Sequence, residues 1–342
     1  MNNLNGEIKS KKILLVNMGG IGDIIMMTPA LRAIRQKYSN AEISFLGISR
    51  TIETAQNLRG IDKFYAFPIT WRLPKIKDIF LIVSLVKELR CQRFDYSINF
   101  RIISTLGGNI KIWALNKIIN AKYPIGRAFF NYGKFYKKVI KEVLVTDKNE
   151  TELAIELLEP LGICSSDRRI DYPVKNEDVF FIERELRNLK LENNILIGFN
   201  PGAFRPFMRW PSDKWIALAK LILKKYKNVK IIINCSTSEL KLAKQIKFSE
   251  NVIIADSKYN IGQIAALLQK LDVLITNNTG PMHLAAAVGT KIVGIFRGSD
   301  LCRFTPSVPE KQFSIVNNDS DSLDSISVEA VMSKFEEMIP SN

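Results

Sequence analysis

The chain has 342 residues, a formal net charge of +15, 46% hydrophobic residues and four cysteines. That length suggests two domains with an ordinary core each, and the composition excludes a disordered or fibrous chain. Cys91, Cys164, Cys235 and Cys302 have neither CxxC nor Cys/His spacing, which argues against a zinc site or a disulfide framework and for a reducing compartment.

Met1 to Lys12 is polar and basic, without the apolar centre of a signal peptide. No run reaches the roughly 18 to 20 apolar residues of a membrane span, so a cytoplasmic protein is expected. Lys12 to Asn17 then reads as a buried strand, Ile24 to Tyr38 as a helix and Ala41 to Gly47 as a second strand. Between the first strand and its helix lies Asn17-Met18-Gly19-Gly20-Ile21-Gly22-Asp23. Its spacing is wrong for GxGxxG and no clear ribose-binding acid ends the second strand, so a dinucleotide site is not expected. The turn does carry a carboxylate, Asp23, which reads as a helix N-cap. A carboxylate at a helix N-terminus is favoured as the anion and can accept a proton from an attacking hydroxyl.

Ile79 to Leu89 is an apolar helix, Tyr96 to Phe100 a strand, and Glu150 to Leu161 an amphipathic helix ending near Gly162. From Tyr96 to Lys141 there is no Asp or Glu, and nine Lys and Arg, among them Arg101 and Arg127, alternate with Trp113, Phe130 and other aromatics. The stretch suits a solvated surface, a nucleic-acid backbone with stacking aromatics, or an anionic membrane. The patch alone does not choose.

The segment from about Cys164 to Asn194 lacks a strand core and suits a crossover. The α/β alternation restarts with a strand at Asn194 to Asn200, a helix at Asp213 to Tyr226 and a strand at Val229 to Asn234. It continues with a helix at Ser238 to Phe248, a strand at Val252 to Ile254, a helix at Ile261 to Leu271, and strands at Val273 and at Lys291 to Phe296. The expected fold class is α/β, with two doubly wound Rossmann-like domains facing a central cleft. The expected boundaries are residues 1–170, a crossover over 171–193, and residues 194–342 with a final C-terminal helix.

Between the last two of these strands, Thr276-Asn277-Asn278-Thr279-Gly280-Pro281-Met282-His283 joins a buried strand to a helix start and holds the only histidine of the chain. Pro281 suits the first helical position and Gly289 the helix end. The free N–H groups there, with roughly half a positive charge from the helix dipole, make an anion site. His283 falls in the first turn. It reads either as a packed histidine satisfied by a carbonyl or as a phosphate donor, and its setting favours the second.

Three separated stretches resemble one family: Gly22 to Leu31; Asn200-Pro201-Gly202-Ala203 with Arg209-Trp210-Pro211 and Trp215; and Asn277 to Ala287. In order and spacing they are similar to family 9 glycosyltransferases, the ADP-heptose:lipopolysaccharide heptosyltransferase group. The resemblance implies a GT-B fold and inverting transfer by single displacement, without a metal or cofactor. It implies Asp23 as general base and donor contacts from Gly202, Ala203, Arg205, Arg209, Glu239, Tyr259, Asn278, Thr279, Gly280, Pro281, Met282 and His283. Acceptor contacts are expected from Gly20, Gly22, Arg101 and Arg127. The implied partners are ADP-heptose, a lipopolysaccharide core or related glycolipid, and the anionic inner leaflet, with the enzyme peripheral on the cytoplasmic face of the inner membrane.

Two positions depart from the family pattern. Asn278 stands where an Asp is usual, and Met208 where a phosphate-binding Lys commonly precedes the Trp-Pro pair, leaving Arg205 or Arg209 to supply positive charge. Three other readings compete: a transferase of the same fold with another nucleotide sugar, a nucleotide-sugar epimerase, and a basic nucleic-acid-binding module. No nucleic-acid motif is present, and nucleic acid is not an expected partner.

Overall fold

The computed structural model of the chain describes residues 10–68, 76–142, 147–317 and 321–339. Most of the segment Met1 to Lys12, read above as lacking a leader, lies outside them. The chain divides into two compact units. The first comprises the described residues up to Gly19, those between Pro29 and Thr146, and Glu152–Asp167; the second comprises Gly20–Thr28, Asp147–Thr151 and Arg168 onward.

The first unit is built on a parallel sheet of β1 (Lys12–Asn17), β2 (Glu42–Ile48), β3 (Lys63–Phe67), β4 (Tyr96–Ile103), β5 (Tyr123–Ala128) and β6 (Lys138–Lys141). Their order is β3-β2-β1-β4-β5-β6. The apolar runs of β1 and β2 are almost wholly buried, as central parallel strands are. The helix expected over Ile24 to Tyr38 is two helices, α1 (Ile21–Met26) and α2 (Thr28–Lys37). Pro29 has no N–H to offer the carbonyl of Ile25, which instead accepts from the Met27 N–H and from Thr28 Oγ1 at 2.8 Å. The break marks a unit boundary, since α1 is grouped with the second unit.

The remaining early helices are α3 (Ile52–Gln56), α4 (Ile76–Gln92), α5 (Leu106–Ile119) and α6 (Glu150–Glu156). The basic stretch of Tyr96 to Lys141 therefore contains regular structure that its composition hid: α5, β5 and β6.

Besides α1, the second unit holds α7 (Asn176–Asn188), inside the segment read as a crossover, and carries a second parallel sheet. Its strands are β7 (Ile195–Asn200), β8 (Val229–Ile233), β9 (Val252–Ile254), β10 (Val273–Asn277), β11 (Lys291–Ile295) and β12 (Phe313–Val316). They lie in the order β12-β11-β10-β7-β8-β9. Flanking them are α8 (Ser212–Lys225), α9 (Leu240–Ile246), α10 (Ile261–Gln269), α11 (Gly280–Ala287), α12 (Leu301–Phe304) and α13 (Val328–Met338). Trp210, Trp215 and Phe199 pack with Ile222, Val331 and Phe335 into the core of this unit. The strand order reverses between β7 and β10, so their adjoining carboxyl ends form the switch point at which open α/β sheets bind ligands.

Candidate active site

At that switch point a buried set of amides fixes the loops that follow β7 and β10. Asn200 Nδ2 donates to Thr276 Oγ1 at 3.1 Å and to Thr279 Oγ1 at 2.9 Å, while its Oδ1 accepts from Asn234 Nδ2 at 3.0 Å. Asn277 Oδ1 accepts from the Trp210 N–H at 3.1 Å, and its Nδ2 donates to the Pro201 carbonyl at 2.8 Å. A buried polar group left without its partner costs about 1–3 kcal/mol, so these pairings hold the 201–203 and 278–280 turns in one arrangement.

The first of those turns is closed from both sides. A Cβ at Gly202 would lie 2.0 Å from Glu239 Oε1, so a larger residue there would have to displace that carboxylate. Glu239 is held in place as it accepts from the Ser236 N–H at 2.9 Å and Ser236 Oγ at 2.7 Å. Arg209 donates through Nε and Nη2 to the Ala203 carbonyl, at 2.9 and 2.7 Å, and so braces the turn. Arg205 is exposed, with its guanidinium over the Phe207 ring 5.8 Å from the centroid.

The second turn opens α11. Thr279 is its extended N-cap and Gly280 its first residue, which puts Pro281 one place later than expected; Gly289, at φ +89°, follows its end. The first-turn N–H groups without intrahelical partners and the positive dipole end lie at the carboxyl edge of β10.

Against this helix packs α1. A Cβ at Gly280 would come within 3.0 Å of Ile21 Cβ, and one at Gly22 within 2.6 Å of His283 Cδ2. Glycine at both positions lets the helices approach closely. Asp23 is the third residue of α1 rather than its cap: Gly20 caps, and its N–H donates to Asp23 Oδ2 at 2.7 Å. His283 is 3% exposed, its Nδ1 is buried without a hydrogen-bond partner among the described residues, and burial pushes the imidazole down to about 4, against a smaller opposing effect of Glu150. It is neutral at neutral pH. Glu150 is itself held by Arg303.

These pieces line an open pocket of about 180 Å³, bordered by Gly20, Gly22 and Asp23 of the α1 turn, Met208, and Asn278, Thr279, Gly280 and His283. The buried Met282 points into the core instead. Chemically the pocket sets a carboxylate beside a helix N-terminus and a neutral imidazole, which suits deprotonating one group while an anion forms on another.

Other expected site residues lie elsewhere. Tyr259 lines a separate pocket of about 230 Å³ with Glu185, Asp256 and apolar residues of α7, β9 and α10. Its ring meets Phe181 edge-on at 5.8 Å, and burial, with Glu185 and Asp256 nearby, pushes its hydroxyl up. In the first unit Arg101 is exposed, whereas Arg127 is 1% exposed and ion-paired with Glu142, so it serves the interior. The amides of Asn234 and Asn277 were not foreseen as site residues. Asparagines at the carboxyl ends of buried strands were the available signal.

Residues 82–329 match the family model described as glycosyltransferase family 9 (heptosyltransferase). The lipopolysaccharide heptosyltransferase 1 of Campylobacter coli is 26% identical over 307 residues, covering 83% of each chain. A crystal structure of a family 9 glycosyltransferase from Veillonella parvula superposes with a TM-score of 0.80 at 21% identity, covering 96% of this chain and 97% of that one. The E. coli heptosyltransferase WaaC with ADP gives a TM-score of 0.72 at 16% identity, covering 96% and 100%.

Proposed function

The chain belongs to glycosyltransferase family 9, the heptosyltransferases, with the GT-B fold, and from that premise we propose that it transfers a heptose from ADP-heptose to a sugar hydroxyl of a lipopolysaccharide core. The observation that carries the reading is that Asp23 and the N-terminus of α11 line the same open pocket.

In this reading the acceptor oxygen attacks the anomeric carbon from the side opposite the leaving group. Asp23 takes the hydroxyl proton as the new C–O bond forms, and the bond from the anomeric carbon to the phosphate oxygen breaks with its electron pair. The configuration inverts. The departing diphosphate gathers negative charge at Thr279, Gly280 and the positive end of α11, with exposed Arg205 as its cation. Neutral His283 closes the wall behind it. Glu239 and the turn at Gly202 and Ala203 hold the nucleotide, and Gly20 and Gly22 meet the acceptor.

Asn278 removes a carboxylate from a pocket that must hold a diphosphate, which lowers repulsion, and Met208 removes a cation that Arg205 replaces. No described helix is long and apolar enough to cross a membrane. We place the enzyme in the cytoplasm, peripheral on the inner membrane, where its acceptor is anchored.

A thermal-shift panel with ADP, UDP, GDP and CDP tests the donor, because a ligand of the folded state raises stability as ln(1 + [L]/Kd). Selective stabilisation by ADP is expected. A selective response to UDP or GDP would overturn the donor assignment, and product formed without acceptor would favour an epimerase.

A further inference from the structure

The helices α4 and α5 carry on their outer faces large apolar side chains that none of the described residues of the first unit covers. On α4, Phe80 and Val83 lie one turn apart; Phe80 is 72% exposed. On α5, Leu106, Ile110 and Trp113 follow the i, i+4, i+7 spacing of one helix face, and Leu106 is 62% exposed. The opposite face of α5, with Leu115 and Ile119, packs into the core. A helix that is apolar all round has a second apolar partner, either protein or lipid.

Topology gathers these residues at one edge. In this parallel sheet α4 leads into β4 and α5 leaves it, so the first half of each helix lies at the carboxyl ends of the strands. The segment after β5 begins at the same edge, where Phe130 is exposed and the Gly133 N–H donates to Asn109 Oδ1 of α5 at 2.9 Å. Lys111 of α5 and Lys134 of that segment are exposed, as are Arg101 of β4 and Lys141 of β6, and no Asp or Glu occurs between Tyr96 and Lys141.

We propose that this surface, the α4–α5 face with the Phe130 segment, docks the enzyme onto an anionic bilayer, inserting Phe80, Ile110 and Trp113 among the headgroups while the basic residues pair with lipid phosphate. This deepens the peripheral location proposed above and rests on the surface itself, not on the identity of the sugar. Charge decides the occupant. A protein interface is depleted of Lys, whereas here exposed Lys111 flanks the apolar face of α5 and exposed Lys134 follows Phe130, a basic rim that suits snorkelling cations around an interfacial Trp. The basic side chains add attraction to anionic lipid that falls off within a Debye length, so salt weakens it. Docking at the carboxyl edge would present a lipid-anchored acceptor to the edge at which such sheets bind ligands.

The test is cosedimentation of the full chain with vesicles of phosphatidylethanolamine and phosphatidylglycerol, against vesicles of phosphatidylcholine alone, at low and high salt. Wild type is expected to bind the anionic vesicles, more weakly in salt, with a blue shift of Trp emission that Trp113→Asn reduces. The triple variant Phe80→Asn, Ile110→Asn, Trp113→Asn should bind at least about tenfold more weakly. Its nucleotide thermal shift should be unchanged, because these side chains face outward. Lys111→Glu with Lys134→Glu should weaken binding and flatten its salt dependence. Wild type that ignores anionic vesicles, a triple variant that binds as well as wild type, or a dimer in light scattering that the triple variant dissociates would each overturn the proposal. Transfer to a soluble core oligosaccharide reads the enzymatic assignment separately, so failure of one does not mimic failure of the other.

Discussion

Replacing Gly22 with Ala probes the contact on which the pocket depends. The added Cβ would sit 2.6 Å from His283 Cδ2. Carbon atoms rest at about 3.5–4.0 Å, so the clash amounts to about 1 Å. The imidazole is 3% exposed, and the pocket is the one space it borders among the described residues. Either it turns, or α1 withdraws from α11 and takes Asp23 with it. Overpacking of this kind costs about 1–3 kcal/mol, and the helical preference for Ala over Gly returns about 1 kcal/mol, leaving a net loss of about 0–2 kcal/mol. The effect on rate is larger, because a misplacement of about 1 Å can cost about a hundredfold. Steady-state transfer with ADP-heptose, paired with thermal melts, should show kcat/KM down about a hundredfold and a melting point lower by only a few degrees. In the double variant Gly22→Ala, His283→Ala the clash has no target, so its stability should be no worse than that of His283→Ala alone. Full activity and stability in Gly22→Ala would refute the packing argument.

Asn277→Ala leaves the Trp210 N–H without its acceptor and the Pro201 carbonyl without its donor, and chemical denaturation should show a loss of about 2–4 kcal/mol. Arg205→Ala should weaken ADP binding with little change in melting point, whereas Arg209→Ala should lower the melting point, since Arg209 braces the Ala203 carbonyl; calorimetry and melts on both variants separate the two roles. Burial holds His283 at about 4 in the folded chain, below its ordinary 6.5, so as pH falls the unfolded state takes up the proton first. The stabilisation is whole above about pH 6.5 and declines by about 3 kcal/mol as pH falls to 4. Denaturation curves across that range should be flatter for His283→Asn than for wild type.

The parts of the fold legible in the sequence are those with a single period. β1, β7 and β10 are uninterrupted apolar runs bounded by polar turns, and the α11 start combines a strand, a small-residue turn and a proline. The helix α5 escaped notice because its solvent face is as apolar as its core face, so it has no 3.6-residue alternation to detect. Pro29 was a readable stop inside Ile24 to Tyr38, yet the apolar pattern runs straight through it. Charge misleads in another way at Arg127, which sits among exposed lysines in sequence but faces the interior toward Glu142. The amide network needs topology: Asn200 and Thr279 are 79 residues apart and meet only because β7 and β10 are neighbours. Nor does sequence distinguish Arg205 from Arg209, since which one spends its guanidinium on Ala203 depends on the turn.

The central claim is that the Asp23 carboxylate accepts the acceptor's proton in a pocket whose opposite wall holds the donor. The direct measurement is transfer by Asp23→Asn from ADP-heptose to a lipopolysaccharide core acceptor, followed by mass spectrometry, beside calorimetric binding of ADP to the same variant. Transfer should fall by about two to four powers of ten, the usual contribution of a general base, with ADP affinity nearly unchanged. Transfer at the wild-type rate with ADP affinity intact would contradict the account.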